Sequence, residues 1–164
     1  VGSGGLRIRP LLAEGGGAGL PLGTTGEWRG IRLGHDPAHI LRATVEGLAC
    51  ELARHLRFLT DNAIPVQRLI MTGGATKSRV TPQILCDVAG RSVVTAAESE
   101  ISALGAAMLA RGLVEQDASL AAISSEMAPA LRSFAPGADA PAYAGILEEY
   151  LGSLPGSPPS TRRK

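Results

Sequence analysis

The aliphatic run Val66-Gln67-Arg68-Leu69-Ile70-Met71 breaks off at Thr72-Gly73-Gly74-Ala75, and Thr76-Lys77-Ser78 then leads into a helix-like pattern. A strand that ends in two residues without side chains and passes at once into a helix start leaves few folds open. The glycines let a flat or anionic ligand approach the main chain closely, and the start of a helix presents N–H groups with no intrahelical partner. Such a step is a nucleotide-site geometry, placed where open α/β sheets collect ligands. Taken alone, the glycine pair reads first as a tight turn.

The flanking pattern supplies the context. Asp36-Pro37 predicts a helix start, an aspartate N-cap followed by proline at a position where its missing N–H costs nothing. From there Leu41, Val45, Leu48, Leu52, Leu56 and Leu59 recur on one side at helical spacing, with Arg42, Glu46, Glu51 and Arg54 mostly elsewhere, and Asn62 and Pro65 close the helix. Val66 to Met71 reads as a buried strand, Ser78 to Ala89 as a helix ended by Gly90, and Ser92 to Thr95 as a short strand. Glu98 to Arg111 reads as a helix rich in small residues with Gly112 as its stop, and a last helix is expected over about 140–151 after a loosely patterned stretch. Leu6 to Leu12 is a further short strand, and Gly15 to Gly30 reads as a flexible glycine-rich loop. The order strand, helix, strand, helix implies an α/β fold around a mixed, largely parallel core sheet flanked by helices.

Composition narrows what such a domain does. Its 164 residues suffice for one continuous core, and with 45% apolar but only 3% aromatic residues that core is aliphatic. Sixteen basic residues against fifteen acidic ones give a net charge of +1, with no basic concentration before the tail, so no nucleic-acid partner is expected. Two cysteines, Cys50 and Cys86, no zinc-like spacing, no membrane-spanning run and no signal pattern favour a cytoplasmic protein with no membrane association. Val1 in place of methionine points to an N-terminally incomplete sequence. Residues 1–153 are read as one lobe, and the Pro/Ser-rich segment 154–164 as a disordered tail.

The usual chemical motifs fail on spacing. Gly15-Gly16-Gly17-Ala18-Gly19 lacks the third glycine of a dinucleotide fingerprint, because Leu20 occupies its place. Thr76-Lys77-Ser78 is not the end of a P-loop, since Thr76 and Met71 stand where glycines are required. His35 and His39 are four apart but lack a third ligand and are expected to be solvated, and Arg42 with Glu46 reads as a helix-surface ion pair worth tenths of a kcal/mol. No nucleophile and base stand in a recognisable relation, so no catalytic residue is assigned and no metal site is expected.

Three blocks in fixed order give the chain a family resemblance. They are Arg29-Gly30 with Arg42-Ala43-Thr44-Val45-Glu46-Gly47, then Met71-Thr72-Gly73-Gly74-Ala75-Thr76-Lys77-Ser78 with Gln83 and Asp87, then Glu98 with Ala103-Leu104-Gly105-Ala106-Ala107-Met108-Leu109-Ala110. Together, across about two thirds of the chain from Leu6 to Leu113, they resemble the C-terminal domain of the FGGY family of carbohydrate kinases, which includes xylulokinase and glycerol kinase. The resemblance implies the actin-like, ribonuclease-H-like ATPase fold, with this chain as the lobe that holds most of the ATP. It further implies ATP or ADP with Mg2+ as cofactor and transfer of the γ-phosphoryl to a sugar or polyol hydroxyl, a xylulose-like substrate being favoured.

On the same resemblance, Gly73 and Gly74 match the adenosine-contacting glycines, Gly74 and Ala75 pass the nucleotide with their backbone, and Ser78 lies beside the adenine. Glu46 and Asp87 match recurring structural acids. The aspartate base and the sugar contacts belong to an N-terminal lobe outside these residues, so this lobe alone is expected to be inactive. A homodimer is compatible with the resemblance. The alternative from a different class is a non-catalytic nucleotide-binding or scaffold module derived from such a kinase.

Overall fold

Asp36 opens α1 (Pro37–Asp61) in the computed structural model of the chain, which describes residues 1–12, 15–97 and 100–155. Its Oδ1 accepts from the His39 amide at 3.0 Å, and the Asp36 amide donates back to His39 Nδ1 at 3.3 Å, so the cap is reciprocal. The closing end is as the sequence predicts, with the Asn62 amide bonded to Phe58 O at 3.1 Å.

The face that α1 buries differs from the leucine stripe. Leu41 is 69% and Leu48 54% exposed, whereas Ala43, Glu46, Gly47, Ala49, Cys50, Glu51, Ala53, Arg54 and Leu56 are buried. Small residues win because other elements cross the helix closely. α2 (Thr81–Ala89) and α5 (Ala140–Gly152) pack there, joining Ala49, Cys50 and Ala53 to Ile84, Val88, Tyr143 and Tyr150 in one core. Leu154, placed by composition in the tail, is also buried in that core, and residues 156–164 lie outside the described ones.

On its other flank α1 carries β1 (Arg7–Arg9), which pairs antiparallel with β4 (Glu27–Arg29). Leu6, Ile8 and Ala43 form the small second core under it. The expected flexible loop at Gly15 is a hairpin instead: β2 (Gly15–Gly17) pairs antiparallel with β3 (Leu20–Thr24). Ala18 (φ 45°) and Gly19 (φ 86°) make a two-residue turn with both φ positive, the geometry that matches strand twist. Backbone pairing therefore orders a segment whose glycines show no side-chain pattern.

The third sheet positions the candidate site. β5 (Leu69–Met71) pairs parallel with β6 (Val93–Ala96), and β7 (Leu131–Phe134) adds antiparallel on the far side of β6. The mixed character expected of the sheet is present, but largely parallel it is not: β5–β6 is the one parallel pair among the described residues. β7 and the short α4 (Leu120–Glu126), capped by Ser119, lie in the stretch where the sequence shows no clear period.

α3 (Ile101–Val114) runs past Gly112, which is not its stop. A Cβ at Gly112 would stand 3.4 Å from Leu120 Cδ1, so this glycine serves the packing of α4 on α3. Glu98, the expected first residue of α3, lies outside the described residues. Among the described residues no helix is long and apolar enough to cross a membrane.

Candidate functional site

Gly73 sits at φ 81°, ψ −171°, a backbone state essentially reserved for glycine, and this turns the chain sharply off the end of β5. Gly74–Lys77 then makes one turn of 3-10 helix. Thr76 locks the bend twice, its amide donating to Gly73 O at 3.1 Å and its hydroxyl to the same oxygen at 2.7 Å. Gly74 and Ala75 are exposed, and a Cβ at either Gly73 or Gly74 would meet nothing within 4 Å. The main chain therefore lies open along this bend.

Helix α2 begins at Thr81, three residues later than the sequence predicts, with Val80 at its N-cap position and Ser78 on the turn just before it. The Ser78 hydroxyl oxygen accepts from Thr81 N at 3.1 Å, from Thr81 Oγ1 at 2.8 Å and from Val80 N at 3.4 Å. Gly73, Gly74, Ala75 and Ser78 thus fall together on one exposed turn at the carboxyl end of a parallel strand.

Behind the turn, α2 is held by buried polar contacts. Asp87 accepts from Gln83 Nε2 at 2.8 Å and from the Gly137 amide at 2.7 Å, which fixes the approach to α5. Two tyrosines of α5 reach acids on α1. Tyr143 donates to Glu46 Oε1 at 2.8 Å while Arg42 bonds both that carboxylate oxygen (2.8 Å) and the Tyr143 oxygen (2.6 Å). Tyr150 donates to Glu51 Oε1, and Arg54 bonds both oxygens of the same carboxylate.

The expected surface pair Arg42–Glu46 is therefore corrected to a largely buried network, with the Glu46 side chain only 3% exposed. Arg54 also donates to Ala18 O, tying the β2–β3 hairpin to α1. The sequence showed the acids and the arginines but not their partners, which lie about a hundred residues away. A tyrosine pair seven apart on the last helix was the available signal, since buried hydroxyls need partners.

Burial pushes the Cys50 thiol and the Tyr143 hydroxyl up to about 12, from 9.0 and 10.0, and pushes Tyr150 up further. Each group holds its proton more tightly in the folded chain than in the unfolded one. Their contribution to stability is whole below about pH 9 and is lost as pH rises from the unfolded values toward the folded ones. The urea midpoint is expected to fall between pH 9 and pH 11, and Tyr150→Phe to flatten that fall. A midpoint that stays level over this range would contradict the assignment.

Both histidines remain partly exposed, as expected, but each also makes structural hydrogen bonds. His35 Nδ1 accepts from Arg32 N at 3.0 Å and its Nε2 bonds Gly4 O at 3.1 Å, so it stitches the loop to the N-terminal turn. Its neighbour His39 completes the α1 cap. Among the described residues no cluster of three ligands suits a metal, and both cysteines are free and buried.

The family model of the FGGY carbohydrate kinases, C-terminal domain, matches residues 4–111. The chain belongs to this family. Among its relatives, the FGGY chain is 36% identical to the glycerol kinase of Trichlorobacter lovleyi over 109 residues, which are 66% of this chain and 22% of that kinase. It is 35% identical to the gluconokinase of Bacillus subtilis over 112 residues, 66% of this chain and 21% of that protein. It is 34% identical to the L-xylulose/3-keto-L-gulonate kinase of Escherichia coli over 108 residues, with the same two shares.

The fold agrees with the family. The Plasmodium falciparum glycerol kinase, solved with ADP, superposes with a TM-score of 0.68 at 24% identity, over 91% of this chain and 30% of that one. The xylulose kinase of Rhodospirillum rubrum gives 0.65 at 24% identity, over 90% and 30%. The chain thus has the α/β fold of the C-terminal lobe of FGGY kinases and spans about a fifth of the length of the curated relatives it matches.

Proposed function

We propose that this chain is the ATP-binding lobe of a carbohydrate kinase, the part that positions the nucleotide while a second lobe holds the sugar. The supporting observation is the exposed Gly73–Gly74 bend at the end of β5, inside the segment that matches the family. On this reading the purine nucleoside rests against the backbone of Gly74 and Ala75, and the side chain of Ser78 lies beside the base. The Mg2+ that accompanies ATP would be held chiefly by the nucleotide phosphates and water; among the described residues no cluster of three ligands suits it.

In the complete enzyme an acceptor hydroxyl of a sugar or polyol attacks the γ-phosphorus, the bond to the bridging β–γ oxygen breaks, ADP leaves, and an aspartate of the other lobe takes the hydroxyl proton. A ketopentose such as xylulose is the first acceptor to test. None of the described residues is assigned to that proton transfer, so the lobe alone is expected to bind nucleotide without turning it over.

The test is calorimetric titration of ADP into the chain and into Gly74→Val. Weak binding to the former and none to the latter is expected, because the valine side chain enters space that is now open. Melting curves of the two proteins should coincide. Equal affinities, or no heat from either protein, would remove the nucleotide reading.

A further inference from the structure

Antiparallel register sets Arg7 of β1 directly opposite Arg29 of β4, and Arg9 opposite Glu27. Alternate residues of a strand share a face, so these four side chains stand together on one side of the ribbon. Like charges directly opposite each other across two strands are destabilising unless something neutralises them.

Arg9 is fully committed. Its Nε donates to Thr25 O at 2.8 Å, its Nη1 to Ser153 O at 3.4 Å, and its Nη2 meets Glu27 Oε2 at 3.0 Å. Glu27 also takes Arg29, whose Nε and Nη2 donate to its two oxygens at 2.6 and 3.1 Å. One carboxylate thus serves two guanidiniums, and Arg7 is left over. Arg7 Nη1 donates to Leu6 O at 3.2 Å, but its Nε is buried without a hydrogen-bond partner. The carboxylate beside it, Glu149 of α5, stands off at 3.6 Å and is 63% exposed. All these side chains line one open cleft between the β1–β4 ribbon and the end of α5, where three guanidiniums against two carboxylates leave an excess of one positive charge.

The geometry points to a phosphate-binding site in this cleft, taking inorganic phosphate or the phosphoryl end of a phosphate ester between Arg7 and Arg29. A buried N–H without an acceptor is costly, and the guanidinium fork matches the spacing of oxyanion oxygens. A tetrahedral oxyanion can accept from forks on two neighbouring strands at once, which neutralises the opposed pair. Glu149, mostly in solvent, gives way by rotation of its side chain. No lining residue belongs to β5, to the Gly73–Gly74 bend or to α2, so the site is independent of the nucleotide reading.

The test is a titration of the chain with sodium phosphate, followed by amide chemical shifts at constant ionic strength with sodium chloride as the matched reference. Saturable shifts confined to β1, β4 and residues 149–153 are expected, with none from chloride. Arg7→Gln should weaken binding about 10-fold or more, since it removes the unpaired donor. Arg29→Gln, at an exposed position whose loss leaves the Arg9–Glu27 pair in place, should weaken it about 5-fold. Glu149→Gln should tighten it about 2- to 5-fold, because a competing carboxylate is gone. A purely structural arginine cluster would not give that gain. Shifts that rise linearly, that chloride reproduces or that persist in Arg7→Gln overturn the proposal, as does an affinity that Glu149→Gln leaves unchanged. Should Arg7→Gln fail to fold, the affinities of the other two variants decide the matter. Glycerol 3-phosphate separates the two sources of the phosphoryl group: tighter binding than inorganic phosphate assigns the cleft to an ester, and equal or weaker binding assigns it to the free ion.

Discussion

Gly47→Val is expected to destabilise the chain by roughly 3 kcal/mol, enough to lower its urea midpoint markedly. A Cβ at this position would lie 2.3 Å from Ile8 O, well inside contact distance, and 3.4 Å from Pro10 Cδ. The obstacle is backbone, which cannot rotate away, so β1 must lift off α1 and open the small core of Leu6, Ile8 and Ala43. Alanine tests the same point with less bulk. Its better helix propensity returns about 1 kcal/mol, which does not offset a contact that close. Gly105→Ala is the control, a helical glycine whose Cβ would meet nothing within 4 Å, and it should be neutral or stabilising. Equal effects at the two positions would refute the crossing of β1 over Gly47.

Glu51→Ala is expected to cost about 3–5 kcal/mol, because it strands a buried guanidinium. Arg54 is 6% exposed and directs three of its hydrogen bonds to this carboxylate, and the Tyr150 hydroxyl would lose its acceptor as well. By contrast, removing Glu148 from its exposed pair with Arg57 should cost no more than tenths of a kcal/mol. Burial pushes the Glu51 carboxyl up, but hydrogen bonds from Arg54 and Tyr150 outweigh it, and its pKa is lowered. A lowered folded value means that the carboxylate stabilises the fold above the ordinary glutamate range and loses this contribution as pH falls through the lowered value. Denaturation midpoints between pH 6 and pH 3 should therefore fall less steeply in Glu51→Gln than in the parent. Parallel acid limbs would show that the charge at this site is not what couples stability to pH.

Much of this architecture was legible where local chemistry and tertiary demand coincide. Asp36-Pro37, Asn62 and Gly90 mark helix ends because caps and left-handed turns use short-range bonds that a sequence displays. The glycine turn was visible for the same reason, since Gly73 adopts a conformation that other residues avoid. The buried face of α1 was hidden because leucine spacing reports apolarity, whereas closeness of approach selected Ala43, Gly47, Ala49 and Ala53. The acids looked superficial for want of their tyrosines, which a sequence window of one helix cannot contain. The glycine hairpin and β7 escaped because their strands are short and set by backbone pairing rather than by alternating side chains. Ser78, expected as the first residue of α2, lies instead on the turn before it, where its hydroxyl oxygen accepts from Thr81 N.

The tyrosines of α5 carry a consequence for where such a protein can be divided. The segment matched to the family ends at residue 111, yet Tyr143, Tyr150 and Leu154 complete the interior that Ala49, Cys50, Ala53, Ile84 and Val88 begin. Cutting the polypeptide at that border would leave a hollow lined by two acids stripped of their hydroxyl partners. A division that keeps this interior intact must therefore include α5, some forty residues beyond the limit that sequence likeness draws.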